Sequence, residues 1–549
     1  MQLDKAKVVL EKTQHVLDAM GQGLAALTVE NDRFSRQKLD TLQPEAFAFA
    51  RCLSEHTAAS ATLMYAETLD QPYESSLACV YTAMVARNML QTIVFREASF
   101  GLSTEQLQPL REEEAWIAAQ LSTAHMGEVA TQLFEKDAYW SGRYGISGDH
   151  EEMRMLFSRF ADERLAPLAE HIHRDDQIVP EDLLQEYAEM GVFGISIPED
   201  FGGSFLDHLT MCLATEELSR GSLGAGGSMI TRPEICAKAL LKGGTDAQKN
   251  EWLPKLATGQ KIVSVAVTEP NAGSDVASLR VSAEKVEGGY KINGEKTWCT
   301  LAGRADVFIL LARTGAVEDG YKGLTLFLVE KPAKISADDH HQFSYKQPEG
   351  GLCEGRAIPT IGYRGMHSFS VTFEDYFVPE SNRVGEEGQG FILQMQGFAG
   401  GRIQTASRAV GVMEAALRSA VTYTKERKVF DQPLSAYSMT QYKIVQMAAM
   451  LMASRQLSYH VAQLMDEGGG EMEASLVKLL SCKDAEWLTR EAMQMHGGMG
   501  YSEEYSVSRY WIDARVLSIF EGAEEVLALY VVARQALKGY LKSGGRDAK

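Results

Sequence analysis

The chain has 549 residues, of which 45% are hydrophobic and 23% charged, and its formal net charge is −20. That length suits about three to four domains, and that composition suits a soluble globular protein with a core able to bury a cofactor. The acidic balance argues against nucleic acid as a partner, because phosphate binding needs clustered Lys and Arg.

Residues 1–145 read as a helical extension. Ala46, Phe49, Ala50 and Leu53 share one helical face, and Leu77, Val80, Ala83 and Met84 recur at helical intervals. Strand signals are nearly absent there. Arg143-Tyr144-Gly145-Ile146-Ser147-Gly148-Asp149 holds two glycines and several turn formers, which predicts a hinge or linker. Residues 150–260 form a second helical domain, with a helix start at Pro180-Glu181-Asp182-Leu183-Leu184 that places the proline in the first turn.

From 261 to 385 the period becomes that of strands. Ile262–Val267, Phe308–Leu311, Leu324–Val329 and Ser370–Phe373 are short and apolar, and Asn293-Gly294 reads as a turn between strands. A small β sandwich or barrel is expected. From 390 to 549 long helical stripes return, among them Val412, Ala416, Ala420 and Tyr423, and Ile444, Met447, Leu451 and Leu457. Short connections favour an antiparallel four-helix bundle, with the stripe methionines and aromatics in its core.

Seven scattered cysteines include no CxxC pair, so reduced thiols and no metal are expected. Met1-Gln2-Leu3-Asp4-Lys5 has no secretory pattern and carries an early acid, and no apolar run reaches bilayer length. A cytoplasmic protein without membrane insertion is expected.

Four segments stand out. Val265-Ala266-Val267-Thr268-Glu269-Pro270-Asn271-Ala272-Gly273-Ser274-Asp275 comes first. Lys296-Thr297-Trp298-Cys299-Thr300, Met495-His496-Gly497-Gly498 and Phe520-Glu521-Gly522-Ala523 follow. Each alone has an ordinary explanation: an edge strand with a tight turn, a core tryptophan, a glutamate at a helix start. In this order and spacing they resemble the acyl-CoA dehydrogenase family across roughly residues 150–540. The resemblance implies an α+β, mostly helical fold: helical domain, central β domain and C-terminal four-helix bundle, here with an extra N-terminal helical domain. It also implies FAD, oxidation of an acyl-CoA thioester between its α and β carbons, and electron-transferring flavoprotein as acceptor. No GxGxxG follows a strand here, so the flavin is expected between domains, as the family holds it.

Roles follow by the same resemblance. Glu521 is the expected base that removes the α-proton as hydride passes to flavin N5, and Gly522 allows close approach. Such a base works best in a dry pocket, with hydrogen-bond donors where enolate charge develops. The backbone around Val267 and Gly273 and the Thr268 hydroxyl are expected at the flavin's polar edge, and Ser274 at the acyl-CoA. Trp298 would cover one flavin face and Thr300 reach the N5 region, whereas Cys299 is read as packing. Arg427 and Phe430, with Gln494, Gly497 and Gly498, match segments that reach a neighbouring subunit's FAD, so at least a dimer is expected. Arg402 matches an arginine behind the active site. One branch of the family carries its base in the slot just before that arginine; here the slot is Gly401, which has no proton-accepting group.

Departures from the family pattern suggest a divergent branch. Ala523 replaces a threonine, Glu525 and Ser438 replace glutamines, Asp431 replaces a glycine, and Ala399 replaces an aspartate that contacts CoA. The stretch 332–357, with His340-His341 and Gly350-Gly351, is longer than usual. Arg232 lies where family members shape the acyl pocket, and it suits a clamp on a terminal carboxylate. Its ordinary alternative is a salt bridge to Glu234. A short, branched, carboxylated acyl-CoA is therefore the expected substrate, and a homodimer the expected assembly, its N-terminal layer covering surface that smaller relatives bury in tetramers. An oxidase returning electrons to oxygen, a flavin-holding relative that acts on DNA, and a purely structural helical protein are the alternatives.

Overall fold

The computed structural model describes residues 2–31, 33–333, 341–348 and 350–543. His340 falls outside them. The main helices before the sheet are α1 (Gln2–Leu27), α2 (Gln43–Leu69), α3 (Pro72–Ile93), α4 (Thr123–Phe134), α5 (Ala166–Arg174), α6 (Glu181–Glu189), α7 (His208–Gly221), α8 (Thr231–Gly243) and α9 (Asp246–Ala257). Pro180 is the N-cap of α6, one residue earlier than expected, so its fixed φ sets the chain's entry into the helix. The sheet strands are β1 (Val263–Ala266), β2 (Ser282–Val286), β3 (Gly289–Thr300), β4 (Val307–Arg313), β5 (Leu324–Glu330), β6 (Gln342–Lys346), β7 (Leu352–Ala357), β8 (Ser368–Pro379) and β9 (Arg383–Val384). After it come α10 (Gly390–Glu426), α11 (Ser438–Asp466), α12 (Glu471–Met495), α13 (Val507–Leu517) and α14 (Arg534–Ser543), the last preceded by π-helical turns at Leu527–Ala533.

The chain divides into two compact units, 1–152 with 405–549, and 153–404. The division falls inside α10.

In the first unit the N-terminal extension shares its cores with the C-terminal helices. Val9, Val16, Leu17, Met20 and Leu24 form the helical stripe of α1, and they cluster with Phe49 of α2 and with Leu537 and Leu541 of α14. Each such fully buried side chain contributes about 1.5–3 kcal/mol. Ala50 on another face of α2 joins Leu476 and Leu479 of α12.

The expected hinge is clamped at its start. The Tyr65 hydroxyl donates to the Arg143 carbonyl at 2.5 Å, the Tyr73 hydroxyl donates to the Trp140 carbonyl, and Gln456 donates to the Tyr144 carbonyl at 3.0 Å. The Arg455 guanidinium lies 4.2 Å from the centre of the Tyr144 ring. Of its two glycines, Gly145 is required by backbone shape and close packing. Gly145 has a φ of 74°, and a Cβ there would come within 2.6 Å of the Tyr65 ring.

In the second unit the strands run β9-β5-β4-β2-β3-β8-β7-β6, with β1 parallel to β4. Alternation along β4 shows both faces in use. Val307, Ile309 and Leu311 pack with Leu240 of α8 and with Trp252 and Leu256 of α9. Phe308, Leu310 and Ala312 face the other way, toward Tyr290, Phe327 and Phe373. Ring contacts Phe308–Phe373 at 5.8 Å and Tyr290–Phe327 at 4.9 Å show the sheet folded over on itself, in the manner of a sandwich. Asn293-Gly294 is not a turn. It lies inside β3 opposite a register shift between Phe373 and Tyr376, where Asn293 exchanges hydrogen bonds with Asp375. The real turn is at Gly288, with a φ of 78°. Bulges and hairpin turns both draw on Asn and Gly, so the dipeptide does not separate them.

Candidate active site

The second unit brings Thr268, at the end of β1, beside the Trp298 strand. The Thr297 N–H donates to the Thr268 carbonyl at 2.9 Å. Beneath this pairing sits a buried ion pair. Lys296 Nζ is 2.8 Å from Glu269 Oε1 and donates to the Val267 carbonyl at 2.8 Å. The Glu269 carboxylate also accepts from the backbone N–H groups of Arg280 and Val281. Burial pushes the Lys296 pKa down to about 8, against the pull of Glu269. The turn that follows is closed by mutual backbone bonds of Glu269 and Ala272 and leaves Gly273 and Ser274 exposed.

Trp298 has a φ of 60° and is 53% exposed, so it is not the core tryptophan of the ordinary alternative. A large ring held outward in a left-handed conformation is a strained, solvent-facing apolar surface. The Thr300 and Ser368 hydroxyls lie 3.0 Å apart.

Arg232 is buried on α8. It donates to the Ser228 carbonyl at 2.6 Å and to the Tyr363 hydroxyl at 3.1 Å. Glu234 instead engages Lys238 and Gln404, so the anticipated Arg232–Glu234 bridge is not formed. Arg232 lines a cavity with Phe193, Met229, Leu256, Ile262 and Leu301. Arg402, on α10 in this unit, is half-buried next to buried Gly401.

In the first unit Glu521 follows α13 in a short loop, before helix resumes at Glu524. It is half-buried, with a φ of 53°, and so is not the exposed glutamate of a helix start. Gly522 continues the turn at a φ of 101°, where a Cβ would sit 2.9 Å from Leu527. Lys478 donates to the Gly522 carbonyl at 2.8 Å, and the Arg408 guanidinium lies 5.3 Å from the centre of the Phe520 ring. The loop is thus held on both sides of Glu521. Neither Lys478 nor Arg408 had a local sequence signal.

Arg427 and Phe430 belong to a tight hairpin between Lys428–Val429 and Gln432–Pro433. Phe430 and Asp431 both have positive φ, 50° and 65°, as a primed turn requires. Phe430 is 88% exposed and Arg427 is exposed. Gln494, Gly497 and Gly498 are exposed as well. Gly497 needs its φ of 59°, but a Cβ on Gly498 would meet nothing, so the fold of the chain does not itself call for glycine there. His496 braces this turn. Its Nδ1 lies 2.7 Å from the Ala492 carbonyl, which only accepts, so Nδ1 carries the proton and Nε2 accepts from Ser419 at 3.1 Å. Its ring stacks on Tyr423 at 4.2 Å, and burial lowers its pKa.

In the second unit the outward tryptophan wall suits a flat cofactor; in the first, the open glycines suit a polyanionic group. Comparison with known proteins decides the family. Residues 147–260, 264–376 and 388–537 match the acyl-CoA dehydrogenase N-terminal, middle and C-terminal domains. The chain belongs to the acyl-CoA dehydrogenase family. It is an FAD-dependent enzyme. This acyl-CoA dehydrogenase is 44% identical over 457 residues to a (2S)-methylsuccinyl-CoA dehydrogenase of Cereibacter sphaeroides, covering 80% of this chain and 81% of that one. It is 34% identical to a mitochondrial isovaleryl-CoA dehydrogenase of Solanum tuberosum, covering 71% and 90%. The butyryl-CoA dehydrogenase of Megasphaera elsdenii superposes with a TM-score of 0.65 at 32% identity, covering 71% of this chain and 99% of that structure. Among the described residues, no helix of this acyl-CoA dehydrogenase is long and apolar enough to cross a membrane.

Proposed function

We propose that this acyl-CoA dehydrogenase converts (2S)-methylsuccinyl-CoA to mesaconyl-CoA, a step of the ethylmalonyl-CoA route, in the cytoplasm. The observation that carries the substrate is Arg232. It is buried, bonded to two neutral oxygens, and has no carboxylate partner among the described residues. A buried cation without a counter-charge is costly, and a carboxylate on the acyl chain would supply one. The 44% identity to a methylsuccinyl-CoA dehydrogenase supports the same reading.

Glu521 is the base of this proposal. Its loop holds the carboxylate off the helix, and the backbone N–H groups there are available to an enolate oxygen. Bound FAD supplies the hydride acceptor. Trp298 shields the cofactor from solvent, while Val267, Thr268, Gly273 and Thr300 hold its polar edge. Ser274 and Arg402 serve the thioester. Arg427, Phe430, Gln494, Gly497 and Gly498 reach the FAD of a second copy, which gives Gly498 the reason that its own fold lacks. Electrons leave to an electron-transferring flavoprotein.

Anaerobic bleaching of the flavin by methylsuccinyl, glutaryl, isobutyryl, isovaleryl and butyryl thioesters tests the substrate. Methylsuccinyl-CoA is expected to bleach best, and Arg232→Gln to raise its KM by about 10- to 100-fold while sparing uncharged chains. Strong bleaching by isovaleryl-CoA, the substrate class of the Solanum relative, would instead favour an uncharged short chain. Rapid peroxide formation without another acceptor would mark an oxidase.

A further inference from the structure

We propose that Asp176, His341 and His367 bind one divalent transition-metal ion of the zinc type, with water as the fourth ligand. The site is separate from the residues assigned to catalysis. The three residues come from three segments: the loop after α5, the residue before β6, and the residue before β8. One potential ligand atom from each lies within 4.8 Å of the other two.

One of the spacings is already that of ligands. His367 Nε2 and Asp176 Oδ1 are 3.2 Å apart, and the two imidazole rings stand perpendicular at 4.9 Å. Bonds of about 2.0–2.2 Å in a tetrahedral zinc centre set neighbouring donor atoms roughly 3.3 Å apart. The two form an ion pair when His367 is protonated, yet among the described residues neither Asp176 Oδ1 nor either nitrogen of the buried His367 ring has a well-aligned hydrogen bond. A buried imidazole with both nitrogens unsatisfied is unfavourable unless something else engages it. His367 and Asp176 both sit at positive φ, 45° and 52°, a strain that recurs at ligand sites.

The backbone carrying each ligand is fixed. Val179 N–H donates to the Gly365 carbonyl at 2.8 Å, Ala357 N–H to His341 at 2.7 Å, and Leu301 N–H to His367 at 2.8 Å. Arg364 Nε lies 3.3 Å from Asp176 Oδ1 and is itself tied to the Thr360 and His173 carbonyls, so it helps hold the carboxylate in place. Two imidazoles and one carboxylate favour zinc, cobalt, nickel or copper over magnesium or calcium. The ion would staple the α5–α6 loop to the sheet, one residue from the Ser368 hydroxyl that meets Thr300.

The test uses the full-length flavin-loaded protein, stripped with chelator and then titrated with Zn²⁺ by calorimetry and with Co²⁺ by visible absorption. One ion per chain is expected, with an intense tetrahedral Co²⁺ band and a rise in melting temperature. His341→Ala removes an exposed side chain and should fold normally; it is expected to weaken Zn²⁺ binding at least about 100-fold and to abolish the Co²⁺ band. His367→Gln should do the same, and if it fails to fold, His341→Ala decides alone. Zn²⁺ binding unchanged in His341→Ala would assign the ion to other surface groups and overturn the proposal, as would no binding above the stripped baseline.

Discussion

Glu521 occupies a left-handed conformation that costs a residue with a Cβ about 1–3 kcal/mol, so something must hold it there. Lys478 on the next carbonyl and Arg408 at the preceding ring do so. If Glu521 is the base, Glu521→Gln keeps the shape and removes the proton acceptor. Turnover should fall by about 10³-fold while the flavin spectrum stays unchanged, as rapid mixing under anaerobic conditions would read. Retention of a tenth of the activity or more would place the base elsewhere. Glu521 and Trp298 were legible in the chain because their motifs are local. Their supports were not. The Lys478 contact spans 44 residues and the Glu269–Lys296 pair 27, and in each case burial rather than local pattern makes the partnership.

At the scale of elements, the segment 140–145 is held by side chains from several helices. Two helices converge on it through one buried carboxylate. Glu414 of α10 accepts from Arg455 of α11 at 2.9 Å and from Ser141 at 3.0 Å, and it pairs with Arg418 at 2.7 Å. Burial raises the Glu414 pKa, but Arg418 and Arg455 outweigh it and hold the carboxyl well below the usual carboxylate range. The folded pKa lies under the unfolded one. The stabilisation is therefore present above the ordinary value of 4.5 and is lost as pH falls toward the folded pKa. Glu414→Gln removes a buried negative charge that Arg455 and Arg418 engage and should cost about 3–5 kcal/mol at neutral pH. Urea titrations should show that gap narrowing in acid; a gap independent of pH would remove the ionic explanation. The element types themselves were readable from period alone. Asn293-Gly294 was not, since a bulge and a turn ask for the same backbone freedom.

At the scale of the whole molecule, α2, α3 and α4 pack on α11, and α2 also packs on α12, so the extension covers the C-terminal helices. With those faces covered and Phe430 left exposed, a homodimer is the expected assembly. Light scattering would read a tetramer if that is wrong. The seam between extension and helices is itself weakened by a rise in pH. Burial lifts Asp484 of α12 to about 7, against the pull of Arg51 on α2 and with Glu55 adding to the rise. Here the folded pKa exceeds the unfolded 3.8, so this group's contribution is fullest in acid and is lost as pH rises through about 7. Asp484→Asn should raise the melting temperature at pH 8 relative to wild type, with the difference shrinking as pH falls toward the unfolded 3.8; no change at pH 8 would exclude a charged Asp484 there.

The pairing of α1 with α14 also sets a schedule. Tyr540 donates to Asp18 at 2.9 Å across 522 positions of sequence. A ribosome delivers α1 well before α14, so the apolar stripe of Val9, Val16, Leu17, Met20 and Leu24 waits without its final neighbours while everything between them is made. Contacts this distant form late and slowly, and a bare stripe invites other nascent chains. The first unit therefore completes itself only after translation passes α14, which makes the emerging N-terminal helix a natural client for chaperones.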